Sequence, residues 1–187
     1  MSSSVDQKGA SAGGDLVGRD KHEIHYHSHP ASTGIVDQLL KKLQDEVANN
    51  VHVRDTVEAL AHFHKRRAAD GVHGLEAKLK VAGRGDEFLD AIEKKELFAK
   101  LLDRWSLYAS AQEIFAYLLA KAEHEFTYVI RPQLDGLSKV EVNKLVRDTI
   151  VVPIVQECGS SVFVVNHSMA MGMVYWLAEQ CFIRWHA

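Results

Sequence analysis

Between Ser110 and Ile130 the bulky apolar residues return every three or four positions: Ile114, Phe115, Leu118, Leu119, Ala122, Phe126, Val129 and Ile130. At 3.6 residues per turn these positions share one side of an α-helix, and they give it a long buried stripe. A stripe of five turns needs apolar partners along its whole length, so it commits the chain to a layered helical body. Ser110 and Glu113 have capping-box spacing and predict the start of this helix. Arg131-Pro132 predicts its end, because proline disfavours a helical residue before it.

The same period appears on either side. In "IVDQLLKKLQDEV", from Ile35, the residues Val36, Leu39, Leu40, Leu43 and Val47 predict a first helix. A second is read in "RDTVEALAHFHKRR", started by Asp55 and Glu58, with Val57, Leu60, Ala61 and His64 on one face. "LEAKLKVAG" predicts a short helix stopped at Gly83. Asp86 is read as the cap of the next, through Trp105. Ser138 and Glu141 repeat the capping-box spacing ahead of Leu145, Val146 and Thr149. "IVVPIV" fits either a buried strand or a helix beginning near Pro153, and "SSVFVV" a short extended segment. "SMAMGMVYWLAEQC" returns to helix, and "FIRWHA" reads as an extended tail packed by Phe182, Ile183 and Trp185. The expected fold is mainly α, about six to seven helices over residues 35–187, with a short N-terminal β-segment.

That β-segment is the least ordinary stretch. Residues 1–14 are rich in Ser, Gly and Ala and read as a flexible tail. Residues 15–30 then alternate in "HEIHYHSH", with Ile24 and Tyr26 on one face and His25, His27 and His29 on the other. A lone strand exposes its backbone donors and acceptors and must pair with something. Leu16, Val17, Ile24 and Tyr26 are therefore the expected oligomerisation residues. The alternative is a metal site built from His25, His27 and His29 within the cluster His22 to His29, serving a metal-dependent hydrolase or nuclease. Same-face residues of one strand stand about 7 Å apart, so ligation to zinc at about 2.0–2.1 Å calls for a second strand or a second chain.

Composition narrows the function classes. A formal net charge of −3 offers no general attraction to nucleic acid or to an anionic membrane. The apolar run "MAMGMVYWLA" is far shorter than the roughly 20 residues of a membrane span. Cys158 and Cys181 have no metal-ligand spacing and read as buried thiols in a cytoplasmic protein. Gly83-Arg84-Gly85 lacks the lysine and hydroxyl residue of a phosphate-binding loop, and reads as a helix stop and restart. Phe115, Tyr117, Phe126, Trp176 and Trp185 read as core. Ser160, Ser161 and Ser168 lie near His167 without a nucleophile elbow, and His167 reads as a cap or surface residue. No cofactor is expected.

Two passages carry a likeness. "GLEAKLKVAGRGDEFLDAIEKKELFAKLLDRWSLYASAQEIFAYLLAKAEHEF" and the ending "GMVYWLAEQCFIRWH" resemble a C-terminal domain of bacterial ABC-three component systems. The resemblance covers roughly residues 53–186. It implies a conflict or antiphage operon in which an ABC-type ATPase and a small middle component accompany a variable effector. The domain then serves recognition and performs no catalysis. The segment "GDLVGRDKHEIHYHSH" resembles the short β-elements beside signalling and effector modules in bacterial conflict proteins. It stands where such proteins carry an effector enzyme, so this chain is not expected to cut anything itself.

Together these readings predict a non-enzymatic adaptor, self-associating through residues 15–30 and docking protein partners (the ATPase, the middle component or an effector) through its helices. Arg84, Arg184 and Trp185 are the expected partner-binding residues, from the resemblance and from composition. A regulator that silences an operon neighbour is a further alternative.

Overall fold

Residues 34–67, 71–159 and 162–185 are described by the computed structural model. Helix α1 (Ile35–Ala48) begins where the periodicity begins and buries Val36, Leu40 and Leu43. Helix α2 (Glu58–His64) starts later than Asp55 and buries Leu60 and Phe63. Its entry is set from outside: the Val57 N–H donates to Gln112 Oε1 at 2.6 Å, so no acidic cap is needed. Helix α3 (Gly74–Val81) leads through a 3-10 turn (Gly85–Glu87) into α4 (Phe88–Trp105). Asp86 sits inside that turn and caps nothing; its carboxylate accepts from Lys139 at 2.9 Å.

Helix α5 (Ala109–Glu125) carries the long stripe, with Ile114, Phe115, Leu118 and Leu119 fully buried. The expected Ser110–Glu113 box is replaced by a cap from another helix. Glu46 Oε2 of α1 accepts both the Ser110 N–H (3.2 Å) and its hydroxyl (2.6 Å), while Glu113 turns to Lys42. Beyond Glu125 the chain widens into a π turn (Phe126–Ile130) and tightens into a 3-10 helix (Arg131–Gly136). Helix α6 (Lys139–Val146) has the capping box predicted from Ser138 and Glu141. A second π turn (Arg147–Val151) joins it to α7 (Val152–Cys158), which decides "IVVPIV" as helix. Each π turn stands just ahead of a proline, Pro132 or Pro153. A proline ring clashes with the carbonyl four residues back and brings no N–H to it, and a locally wider helix relieves both problems.

Val162 to Val165 run without regular structure; Phe163 and Val165 turn inward while Val162 and Val164 stay exposed. Asn166 then caps α8 (His167–Glu179), accepting the Met169 N–H at 2.9 Å. With α6, the π turn and α7 taken as one continuous rod, the described residues hold seven helices and no strand. The β-segment expected at 15–30 lies outside the described residues.

Helix α8 is apolar almost all round, as a helix surrounded by others must be. Its closest neighbour is α4. A methyl group on Gly172 would stand 2.2 Å from the Lys94 carbonyl oxygen, so only glycine lets the two backbones come this near. Phe98 packs edge-on to Trp176 at 5.9 Å beside this crossing and to Phe115 of α5 at 5.8 Å. Lys95 and Glu179 close its end with a 2.5 Å ion pair. The tail after α8 is buried too: Phe182, Ile183 and Trp185 all belong to the core. Among the described residues no helix is long and apolar enough to cross a membrane.

Candidate functional site

Arg84 is one of the few charged residues inside the protein, with 4% of its surface exposed. It follows Gly83, whose φ of 67° turns the chain out of α3. A buried guanidinium must have its donors met. One nitrogen donates to both oxygens of Glu87 (3.0 and 2.9 Å) and to Asn143 Oδ1 (2.7 Å), and the other to the Lys139 carbonyl (3.3 Å). Its plane lies 4.9 Å from the centre of the Trp185 ring, a cation–π contact. Trp185, also 4% exposed, packs in turn against Phe126 (4.9 Å) and Tyr175 (6.0 Å). One cation thus joins the end of α3, the start of α6 and the last described residue.

The sequence reading put Arg84 and Trp185 on a docking surface together with Arg184. The structure does bring Arg84 and Trp185 together, but inside the fold, while Arg184 beside them is half-buried. Burial is tolerated because the guanidinium finds a carboxylate, an amide oxygen and a backbone carbonyl within reach. Leu16, Val17, Ile24 and Tyr26 lie outside the described residues, as do His25, His27 and His29. Among the described residues no group of three potential ligands is arranged for a metal ion.

Glu87 and Asn143 open onto a cleft of about 470 Å³. Helix α4 supplies Asp90 and Lys94 to its wall, paired with each other at 2.5 Å. The π turn after α6 supplies Arg147, whose Nε donates to Asp148 at 2.8 Å, together with Val151. Helix α8 supplies His167, Ser168, Met171 and Tyr175. The steps Ser168, Met171, Tyr175 put these on one face of the helix. Two acids and two bases leave the lining without formal net charge when His167 is neutral.

Tyr175 is 3% exposed. Burial pushes its phenol well above the ordinary tyrosine range, and the charges of Glu87 and Asp90 push it further, so at neutral pH it keeps its proton. Tyr175 lines the cleft. Burial, and then the Glu157 charge, push the Cys158 thiol up to about 12 against the opposing pull of Lys121, which makes it a poor nucleophile. His167 is exposed, on the first turn of α8.

Sequence reasoning missed Asn143, Arg147 and Tyr175. Tyr175 stands in a helix so uniformly apolar that no face announces itself, and Arg147 looks like any exposed base next to an acid. What brings them together is the packing of three elements far apart in sequence.

A helical domain with a shaped, charge-balanced cleft and a buried cation at its seam is the class of protein the structure defines. Residues 74–185 match the family model of C-terminal domain 9 of the ABC-three component (ABC-3C) systems. The chain belongs to this family, and the match takes in α3 to α8 with the whole cleft, leaving α1 and α2 ahead of it. No curated protein and no solved structure matches the chain significantly.

Proposed function

We propose that this chain is a non-catalytic interaction module of an ABC-three component system, and that it holds a protein partner at the cleft between α4, the α6–α7 rod and α8. The observation that carries the reading is the state of the charged groups there. Glu87, Asp90 and Arg147 are each tied to a neighbouring side chain, which suits a surface of fixed shape and charge. Membership of a multi-component family supports protein partners in general. The candidate partners are the ABC-type ATPase, the middle component and an effector of the same system.

Co-purification of the full chain with each component tests this. Met171→Glu and Arg147→Glu should abolish retention of the partner, whereas Val140→Glu, on an exposed position of α6, should leave it intact. Equal retention by all three variants would remove the cleft from the reading. Self-association through residues 15–30 is the second part of the proposal and rests on the alternating pattern alone. It predicts a defined oligomer for the full chain and a folded monomer for a chain beginning at Ser32, by absolute mass in solution.

A further inference from the structure

On a side of the molecule that shares no lining residue with the cleft, α1 and α2 flank α5 and leave an open groove of about 640 Å³. Ala116 and Ala120 of α5 form its floor, Ile35 and Leu39 of α1 one wall, Ala59 and Phe63 of α2 the other. Ile35 leaves 54% of its surface in water there. Glu113 and Glu123 also line the groove and stand about 15 Å apart along α5, the length of about three helical turns. Two of the three sides, α1 and α2, precede the matched family domain.

The walls and the floor are helices, whose backbone groups are bonded within each helix. An extended peptide laid here would leave its own N–H and C=O groups without partners, whereas a helix brings its bonds with it. Alanines four residues apart on the floor let another helix approach to the usual axial distance of about 8–10 Å. Charge selects among helices. Both acids in the lining are already answered, Glu113 by Lys42 at 3.8 Å and Glu123 by Arg67 at 2.6 Å. Asp37, beside Ile35, accepts the Gly34 N–H. The uncompensated charge is basic and lies at one end. His62 and Phe63 line the groove and Arg67 returns to it through Glu123, so the intervening Lys65 and Arg66 pass along that end. Both are exposed, and neither has an ion pair among the described residues. The exposed Glu58 stands at the opposite end of α2.

We infer that this groove is a second docking surface, and that it takes an amphipathic helix of a partner protein, its apolar stripe on Ala116 and Ala120 and its acidic end against Lys65 and Arg66. The inference goes beyond the docking reading above and does not depend on the cleft.

The test measures binding of the full chain to overlapping peptides of about twenty residues, roughly five helical turns, that cover the ABC-type ATPase, the middle component and the effector of the same system. At least one peptide should bind; it should carry an apolar stripe with acids at one end and gain helicity by circular dichroism when bound. Ala120→Arg fills the floor and should weaken it at least about tenfold, and Ala59→Arg, on the facing wall, should do the same. Both positions are exposed, so both variants should keep the native melt, and either alone decides the point if the other unfolds. Reversing Lys65 and Arg66 to Glu should cost about three- to tenfold, chiefly in the association rate, and remove most of the salt dependence. Met171→Glu, in the cleft, should leave this binding unchanged. Three outcomes would overturn the inference: no peptide binds, affinity survives both arginine variants, or the bound peptide stays non-helical. Two more would give the groove to another occupant and overturn it as well: Ala120→Arg lowers the oligomer mass, which points to a second copy, or it shifts only amides of residues 1–33. Loss of this surface with partner retention still sensitive to Met171→Glu would leave the cleft reading standing.

Discussion

Helices α3 and α8 end in the same way, on different residues. In α3 the N–H of Gly83 donates to the Lys80 carbonyl (3.0 Å) and that of Arg84 reaches back to Leu79 (2.7 Å). In α8 the N–H of Cys181 donates to Ala178 (3.1 Å) and that of Phe182 to Leu177 (2.9 Å). Both are Schellman motifs, and both put one residue in the left-handed region at φ 67°. At α3 that residue is glycine, for which the conformation is free. At α8 it is cysteine, which holds it at a cost of about 1 kcal/mol. A local signal ends the first helix, and tertiary anchors end the second. Phe182, Ile183 and Trp185 are buried directly after the turn. Lys78 of α3, 1% exposed, sends its ammonium onto the Ala178 carbonyl at the negative end of α8. The two ends therefore support each other: α3 provides the cation that caps α8, and the turn after α3 provides the arginine on which the tail after α8 rests.

The largest effect should come from lifting α8 off its seat. Gly172→Ala puts a methyl group where the Lys94 carbonyl already stands, so the helices must part, at about 3 kcal/mol or more. A thermal melt should fall by about 10 °C, and amide exchange should show the tail after α8 opening first. If the melt does not move, the tight seating of α8 is not what holds its end. Next is Arg84→Ala, which leaves the partly buried Glu87 carboxylate without its cation and Trp185 without its cover. It should cost about 3 kcal/mol in denaturant unfolding, and Arg84→Lys should recover only part, since an ammonium cannot reproduce the planar fork.

A pair of mirror substitutions then separates the two caps. Gly83→Ala meets open space, so its cost is purely conformational, about 1 kcal/mol. Cys181→Gly removes the same strain but gives up a buried thiol, and should change stability by no more than about 0.5 kcal/mol. Equal and opposite effects would mean that the cysteine side chain contributes nothing to the end of α8. The smallest effect is in acid. Asp86 is held below the usual carboxylate range first by its hydrogen bond from Lys139, and Glu141 first by that from Ser138. A depressed carboxylate stabilises the fold at neutral pH, and that contribution fades as pH falls through the folded-state value. Glu141→Gln should therefore lower the neutral-pH stability slightly and flatten the loss below about pH 4.5 by the same small amount.

The helical layout was legible wherever a residue acts on its own neighbours. The stripe of α5, the Ser138–Glu141 box and the stop at Gly83 are local, and each is found where the spacing puts it. The starts expected at Ser110, Asp55 and Asp86 were misread for one reason: Ser110, Val57 and Asp86 take their partners from elsewhere in the chain, namely Glu46, Gln112 and Lys139. The pairing of Arg84 with Trp185 was half legible. Both residues stood out in the sequence, but their burial depends on Glu87, Asn143 and the Lys139 carbonyl arriving at one point.

By itself the sequence determined the helical class and the elements with local caps, because period and capping are properties of adjacent residues. It also carried the family likeness that the match over residues 74–185 bears out. Only the tertiary structure decided where α8 ends, which cations are buried, and that Tyr175 opens on a cleft with Arg147 and the start of α8. Those are meetings of groups remote along the chain, and their energies come from burial and charge pairing that exist only once the helices have packed.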